Sequence, residues 1–132
     1  MEIRGHHLLC LYGFNGLGYN KRFIDNLQQI LDLLRRDYGQ KIKLIDGVDD
    51  ICRYCPHCRN NQCSNNQIDP QDLDRKVLSK IGLRKGSYYR AVRVFTLIKE
   101  NIELSDLERW CRECPWYGFG YCLSGFKNKS LP

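Results

Sequence analysis

The chain has 132 residues, of which 42% are hydrophobic and 27% charged, with eight cysteines and a formal net charge of +6. That length is one domain's worth of polymer and excludes a barrel enzyme, and the apolar fraction excludes global disorder. The charge balance alone does not establish a nucleic-acid module, whereas the cysteine excess is where function is to be sought.

The opening MEIRGHHLLCLYGF carries charges and two histidines within its apolar stretch, so it has neither a signal-peptide core nor a cleavage site, and no apolar run is long enough to span a bilayer. A reducing, cytoplasmic setting is expected, in which clustered cysteines bind metal rather than form disulfides. Residues 3–11 read as a short helix or an extended lead-in. The glycines Gly13, Gly16 and Gly18 then make GFNGLG a turn; it is G-x-x-G-x-G, follows no strand, and is not a dinucleotide fingerprint.

Asn20 is an N-cap for a helix in which Phe23, Ile24, Leu27, Ile30, Leu31 and Leu34 recur at helical spacing, with Gly39 closing it. KIKLIDG alternates as one short strand with a turn, without an obvious partner strand. Asp69 caps a helix with Pro70 at its first position and Leu73, Val77, Leu78 and Ile81 along one face, ending at Gly82. Ser87 is expected to start a further helix that carries Tyr88, Val92, Phe95, Ile98 and Ile102 inward. Ser105 and Glu108 read as a capping box for a last short helix, and the tail FKNKSLP as frayed. The fold class is mainly α: a single helical domain over 1–132, with one short strand or hairpin and two metal-binding cysteine loops, at 49–68 and 110–125, and an N-terminal ligand segment at 1–19.

The two loops are copies of one pattern. ICRYCPHCRNNQC and WCRECPWYGFGYC both read Cys-x2-Cys-x7-Cys, so Cys52, Cys55 and Cys63 match Cys111, Cys114 and Cys122. Arginine follows the first cysteine in each (Arg53, Arg112) and proline the second (Pro56, Pro115). A Cys-x-x-Cys turn aims two thiolates at one metal, and arginine beside them offsets negative charge. The first loop is too polar to order itself by burial, so metal is expected to be part of the fold.

Each triplet lacks a fourth ligand. Cys10, with His6 and His7 four and three residues before it, can supply it: two triplets, Cys10 and one histidine complete two four-ligand sites, although one cluster drawing on both loops is also compatible with the spacing. Cys58 makes the run Cys52-x2-Cys55-x2-Cys58, which resembles the start of a ferredoxin motif but fails at Cys63, and Tyr117 stands at its place in the second copy, so Cys58 ranks below the other seven as a ligand. His57 is assigned a supporting role beside the sulfurs, as are Arg53 and Arg112, and Trp110 and Trp116 are expected to shield the metal from water.

RGHHLLC (Arg4 to Cys10), DDICRYCPH and the terminal CRECPWYGFGYC together resemble a small bacterial and archaeal family of unknown function, domain-of-unknown-function family 1284, whose members are sometimes labelled iron–sulfur binding. The resemblance implies a cluster, held through Cys10, Cys52, Cys55, Cys63, Cys111, Cys114 and Cys122, and no established activity. Spacing alone favours zinc; the resemblance moves the balance to an iron–sulfur cluster of the [4Fe–4S] type. The expected role is electron transfer or redox sensing with an acidic partner protein. The alternatives are a zinc-stabilised nucleic-acid or protein-binding module, using the basic stretch from Arg75 to Lys99, and a small enzyme with an open iron site. No membrane partner is expected.

Overall fold

In a computed structural model, which describes residues 1–65, 67–128 and 131, the chain starts with strand β1 (Glu2–Arg4) and helix α1 (His7–Gly13). Both alternatives for the N-terminal segment are thus realised in succession. Helix α2 (Lys21–Arg36) follows, and Asn20 accepts a hydrogen bond from the Phe23 N–H at 2.9 Å, as its side chain dictates. The helix stops before Gly39, because Asp37 leaves helical geometry and uses its carboxylate to accept the Gly39 N–H.

Strand β2 (Lys41–Ile45) turns Ile42 and Leu44 inward and finds two partners that local sequence does not reveal. It is the centre of a three-stranded sheet, parallel to β1 through Ile3↔Leu44 and antiparallel to β5 (Tyr88–Arg90) through Ile42↔Tyr89. A parallel pair needs a long crossover, and α1 and α2 provide it.

The presence of β5 corrects the helix expected from Ser87. Residues 88–90 are taken by the sheet, and helix α4 (Ala91–Asn101) starts three residues later. Its inward face is therefore Ala91, Val94, Phe95 and Ile98, while Tyr88 and Val92 are 63% and 41% exposed.

Helix α3 (Pro70–Ile81) has the expected bounds, with Asp69 accepting the Asp72 N–H and Gly82 in the left-handed conformation at φ 72°. Helix α5 (Leu104–Cys111) is boxed two residues earlier than expected: the pair is Glu103 and Asp106, with the Glu103 N–H donating to the Asp106 carboxylate at 2.9 Å. The last helix, α6 (Tyr121–Asn128), corrects the frayed tail. It buries Phe126, and Leu131 beyond it is 2% exposed; residues 129, 130 and 132 lie outside the described residues.

One core joins these elements, with Leu8 and Leu11 from α1, Leu31 and Leu34 from α2, Val77 from α3, Phe95 from α4 and Leu107 from α5. It is a mainly α domain with a small sheet on one side. No helix among the described residues is long and apolar enough to cross a membrane.

Candidate metal centre

The two cysteine loops converge. A cavity of about 150 Å³ is lined by Cys52, Cys55 and Cys63 of the first loop, by Cys111, Cys114 and Cys122 of the second, and by Cys10 of α1. His6, His7 and His57 also face it, and Cys58 does not. All eight cysteines are free thiols.

The local folds of the loops repeat as far as the second cysteine. In each, the second cysteine's N–H bonds the first cysteine's carbonyl, Cys55 to Cys52 and Cys114 to Cys111, both at 2.9 Å. The residue three positions on then bonds back to the second cysteine, Cys58 to the Cys55 carbonyl at 3.0 Å and Tyr117 to the Cys114 carbonyl at 3.1 Å. The same turns bring backbone N–H groups toward sulfur, and those of His57 and Cys58 favour the Cys55 thiolate as those of Trp116 and Tyr117 favour that of Cys114. Cys58 thus contributes its backbone where Tyr117 does in the second copy.

Beyond that point the copies diverge. In the first, strands β3 (Cys58–Arg59) and β4 (Gln62–Cys63) form a tight hairpin through Asn60 and Asn61, both at positive φ (52° and 59°), which asparagine tolerates. In the second, a single helical turn at Tyr117–Phe119 leads through left-handed Gly120 into α6, which carries Cys122.

Cys10 lies beside the second triplet. Helices α1 and α6 cross so closely that a Cβ on Gly125 would overlap the Tyr12 carbonyl, and one on Gly13 would lie 2.6 Å from the Cys122 Cα and 3.1 Å from its sulfur. Glycine at both positions is what seats Cys122 beside α1. Burial pushes the Cys10 thiol pKa well up, reinforced by the facing thiols of Cys122, Cys114 and Cys111. Burial likewise pushes Cys111 up to about 12 and Cys122 up to about 11. Thiols facing one another in this way release protons when a metal binds them, because only thiolates coordinate.

Cys52, the first cysteine of the first triplet, is tied into a buried charge network. Asp49 accepts the Arg4 N–H and His7 Nδ1–H on Oδ2, at 2.8 and 2.9 Å, and the Cys52 N–H on Oδ1 at 3.0 Å. Burial alone would raise the Asp49 pKa; His7 and these donors outweigh it and bring it down to about 2. Asp74 pairs with the Arg4 guanidinium at 2.8 Å and accepts both the His6 N–H and His6 Nδ1–H, at 3.0 and 2.7 Å. Burial, helped by His7, lowers the His6 pKa to about 4 against the opposing pull of Asp74, so the ring is neutral at pH 7. An ionised carboxylate only accepts, so each imidazole carries its proton on Nδ1. That leaves both Nε2 atoms unpartnered among the described residues.

Arg53 and Arg112 are exposed and stand off the cavity wall. The arginine beside a thiol is Arg4, whose guanidinium lies 3.9 Å from the Cys52 sulfur. Trp116 lines the cavity, whereas Trp110 sits over the basic side of α3 with Arg75, Lys76 and Lys80. Much of the basic stretch is engaged: Arg75 and Lys85 with Asp46, Lys76 with Asp72 and Lys80 with Asp106.

Tyr19 and Asp74 lie outside the sequence motifs, and Arg4 and Asp49 lie within them without an assigned role. Tyr19 stacks edge-on against His57 and Trp116, each at 5.0 Å, and so joins the two loops; burial pushes its pKa up to about 12. Asp74 did carry a signal: it falls on the apolar stripe of Val77, Leu78 and Ile81, where an acid must be paired.

The family model for a protein of unknown function, DUF1284, matches residues 18–120, and the chain belongs to that family. The match spans the first triplet with Cys111 and Cys114, and Cys10 and Cys122 lie outside it. No curated protein and no solved structure matches the chain.

Proposed function

We propose that this DUF1284 protein is an iron–sulfur protein in which Cys10, Cys111, Cys114 and Cys122 hold a [4Fe–4S] cluster used for electron transfer or redox sensing. The observation that carries this reading is the seating of Cys10 against the second triplet, which gives four thiols around one side of one cavity.

The spread of the sulfurs favours a cluster over zinc. Zinc–sulfur bonds of ~2.3 Å at the tetrahedral angle put sulfurs about 3.8 Å apart. Among the described residues, no three thiols lie within 4.8 Å of one another. Thiols spaced more widely than a single ion requires, with N–H groups turned toward Cys114, suit a cluster whose charge is spread over several atoms. The cluster would supply one-electron chemistry; the chain fixes its ligands and keeps water off one side with Trp116 and Leu107.

A zinc-stabilised nucleic-acid module is less well supported, because the carboxylates that pair with Arg75, Lys76, Lys80 and Lys85 compete with phosphate. An enzyme with an open iron also loses ground once Cys10 completes the second triplet. Eight free thiols fit work in a reducing, cytoplasmic compartment, and the positive net charge suits an acidic redox partner.

Anaerobically purified protein is expected to be brown, to absorb broadly near ~400 nm and to contain iron and acid-labile sulfide. Colourless protein with stoichiometric zinc overturns the proposal. Cys10→Ala is expected to destabilise or convert the cluster; an unchanged spectrum in that variant removes Cys10 from the ligand set.

A further inference from the structure

With Cys10 given to the second triplet, Cys52, Cys55 and Cys63 have no fourth cysteine on the cavity wall. Cys58 pairs with Cys63 across the hairpin but does not line the cavity. His7 does line it, and a potential ligand atom of His7 lies within 4.8 Å of the Cys52 sulfur. Asp49 falls in the same group. Its two oxygens already accept three N–H groups, and the neighbouring guanidinium of Arg4 opposes a bare cation.

What Asp49 does is tie two ligands together. One oxygen receives the proton of His7 Nδ1, the other the N–H of Cys52, so a single carboxylate fixes the first residue of α1 to the first cysteine of the loop. Donation of Nδ1–H to a carboxylate, with Nε2 left bare, is the arrangement that orients metal-ligating histidines and raises their basicity.

We propose that the first triplet holds a second iron–sulfur centre with mixed ligation, Cys52, Cys55 and Cys63 with the Nε2 of His7, positioned by Asp49. This rests on the cluster reading above. Replacing one anionic thiolate by a neutral imidazole leaves the centre one unit more positive, and the Arg4 guanidinium beside Cys52 adds to that. Both effects raise its reduction potential above that of the four-thiolate centre. On stepwise reduction the first triplet's centre therefore takes the first electron.

The test uses the full chain purified anaerobically. Elemental analysis is expected to find more iron than one cluster holds, about eight atoms per chain if both centres are cubane. Pulsed paramagnetic resonance of half-reduced protein is expected to show imidazole nitrogen coupling. His7→Ala should lose the nitrogen coupling and about half the iron, with the second signal intact. His7→Cys should keep the iron, lose the coupling and move the higher potential downward, a combination that a merely structural histidine would not produce. Nitrogen coupling that survives in His7→Cys, or iron for a single cluster that His7→Ala does not change, overturns the second centre and leaves the first standing. Loss of half the iron in Cys58→Ser with His7→Ala unaffected assigns the place to Cys58 instead. Protein with zinc and no iron overturns both readings.

Discussion

The two cysteine loops share one spacing and one pair of turns but are held to the rest of the molecule by opposite means. The first is anchored by charge: Asp49 and Asp74, both buried, gather Arg4, His6, His7 and the Cys52 N–H. The second is anchored by close backbone contact, where Gly13 and Gly125 let α6 lie on α1. A repeated ligand pattern therefore does not imply repeated sites. The surroundings of the triplets differ, with the Cys10 thiol of α1 beside the second and a buried charge network that includes His7 beside Cys52 of the first.

The sharpest way to break the first anchorage is Asp74→Ala. It leaves the Arg4 guanidinium buried without its partner and is expected to cost ~3–5 kcal/mol, read by urea denaturation under reducing conditions. Breaking the second calls for Gly125→Val, whose Cβ overlaps the Tyr12 carbonyl. The expected cost is about 3 kcal/mol, with selective loss of the iron bound near Cys122. If Gly125→Val instead empties the first triplet and spares the second, the contrast between the loops is wrong.

Acid should separate them further. The folded-state pKa of His6, about 4, lies below its ordinary value of 6.5, so the unfolded chain binds more protons between those values. The stability that His6 contributes as a neutral group is therefore present above pH 6.5 and is lost as pH falls toward 4, at up to ~1.4 kcal/mol per pH unit. Asp49, lowered from 3.8 to about 2, acts in the same direction further down: its contribution is present above 3.8 and is lost as pH falls through 2. His6→Gln is expected to flatten the slope of urea midpoints between pH 6.5 and 4, and Gly125→Val to leave that slope in place. Two smaller effects complete the series. Tyr12 has a buried hydroxyl without a partner among the described residues, so Tyr12→Phe should leave stability unchanged or raise it by about 1 kcal/mol. Asn61→Gly, at positive φ in the first loop's hairpin, should gain less than ~1 kcal/mol in the same assay.

Much of the fold is legible locally. Asn20, Asp69, Pro70 and Gly82 mark helix ends by chemistry that acts within four residues, and the structure uses each of them. The errors occur where a distant segment competes for the same backbone. Tyr88 to Arg90 continue a helical pattern, yet β2 offers them ladder hydrogen bonds, and the sheet wins. Glu103 and Asp106 displace Ser105 and Glu108 as the box because the Asp106 carboxylate is buried beside Lys80 and Arg109. At the site, the cysteine offsets are visible because the Cys-x-x-Cys turns that carry them are short and local. Arg4, Asp49 and Asp74 are not, because ordinary charged residues acquire their role only through burial against one another.

The sequence by itself determined two like triplets, separated Cys58 from them, and supplied Cys10 and two histidines as completing groups. It could not allot those groups: along the chain Cys10 stands much nearer to Cys52 than to Cys111, yet in the fold it packs beside the second loop. Tertiary structure decided the allotment through two short-range effects that pattern does not carry: the steric allowance of Gly13 and Gly125, which brings α6 and its cysteine onto α1, and the cost of burying Asp49 and Asp74, which draws Arg4, His6 and His7 to the other side of the same cavity.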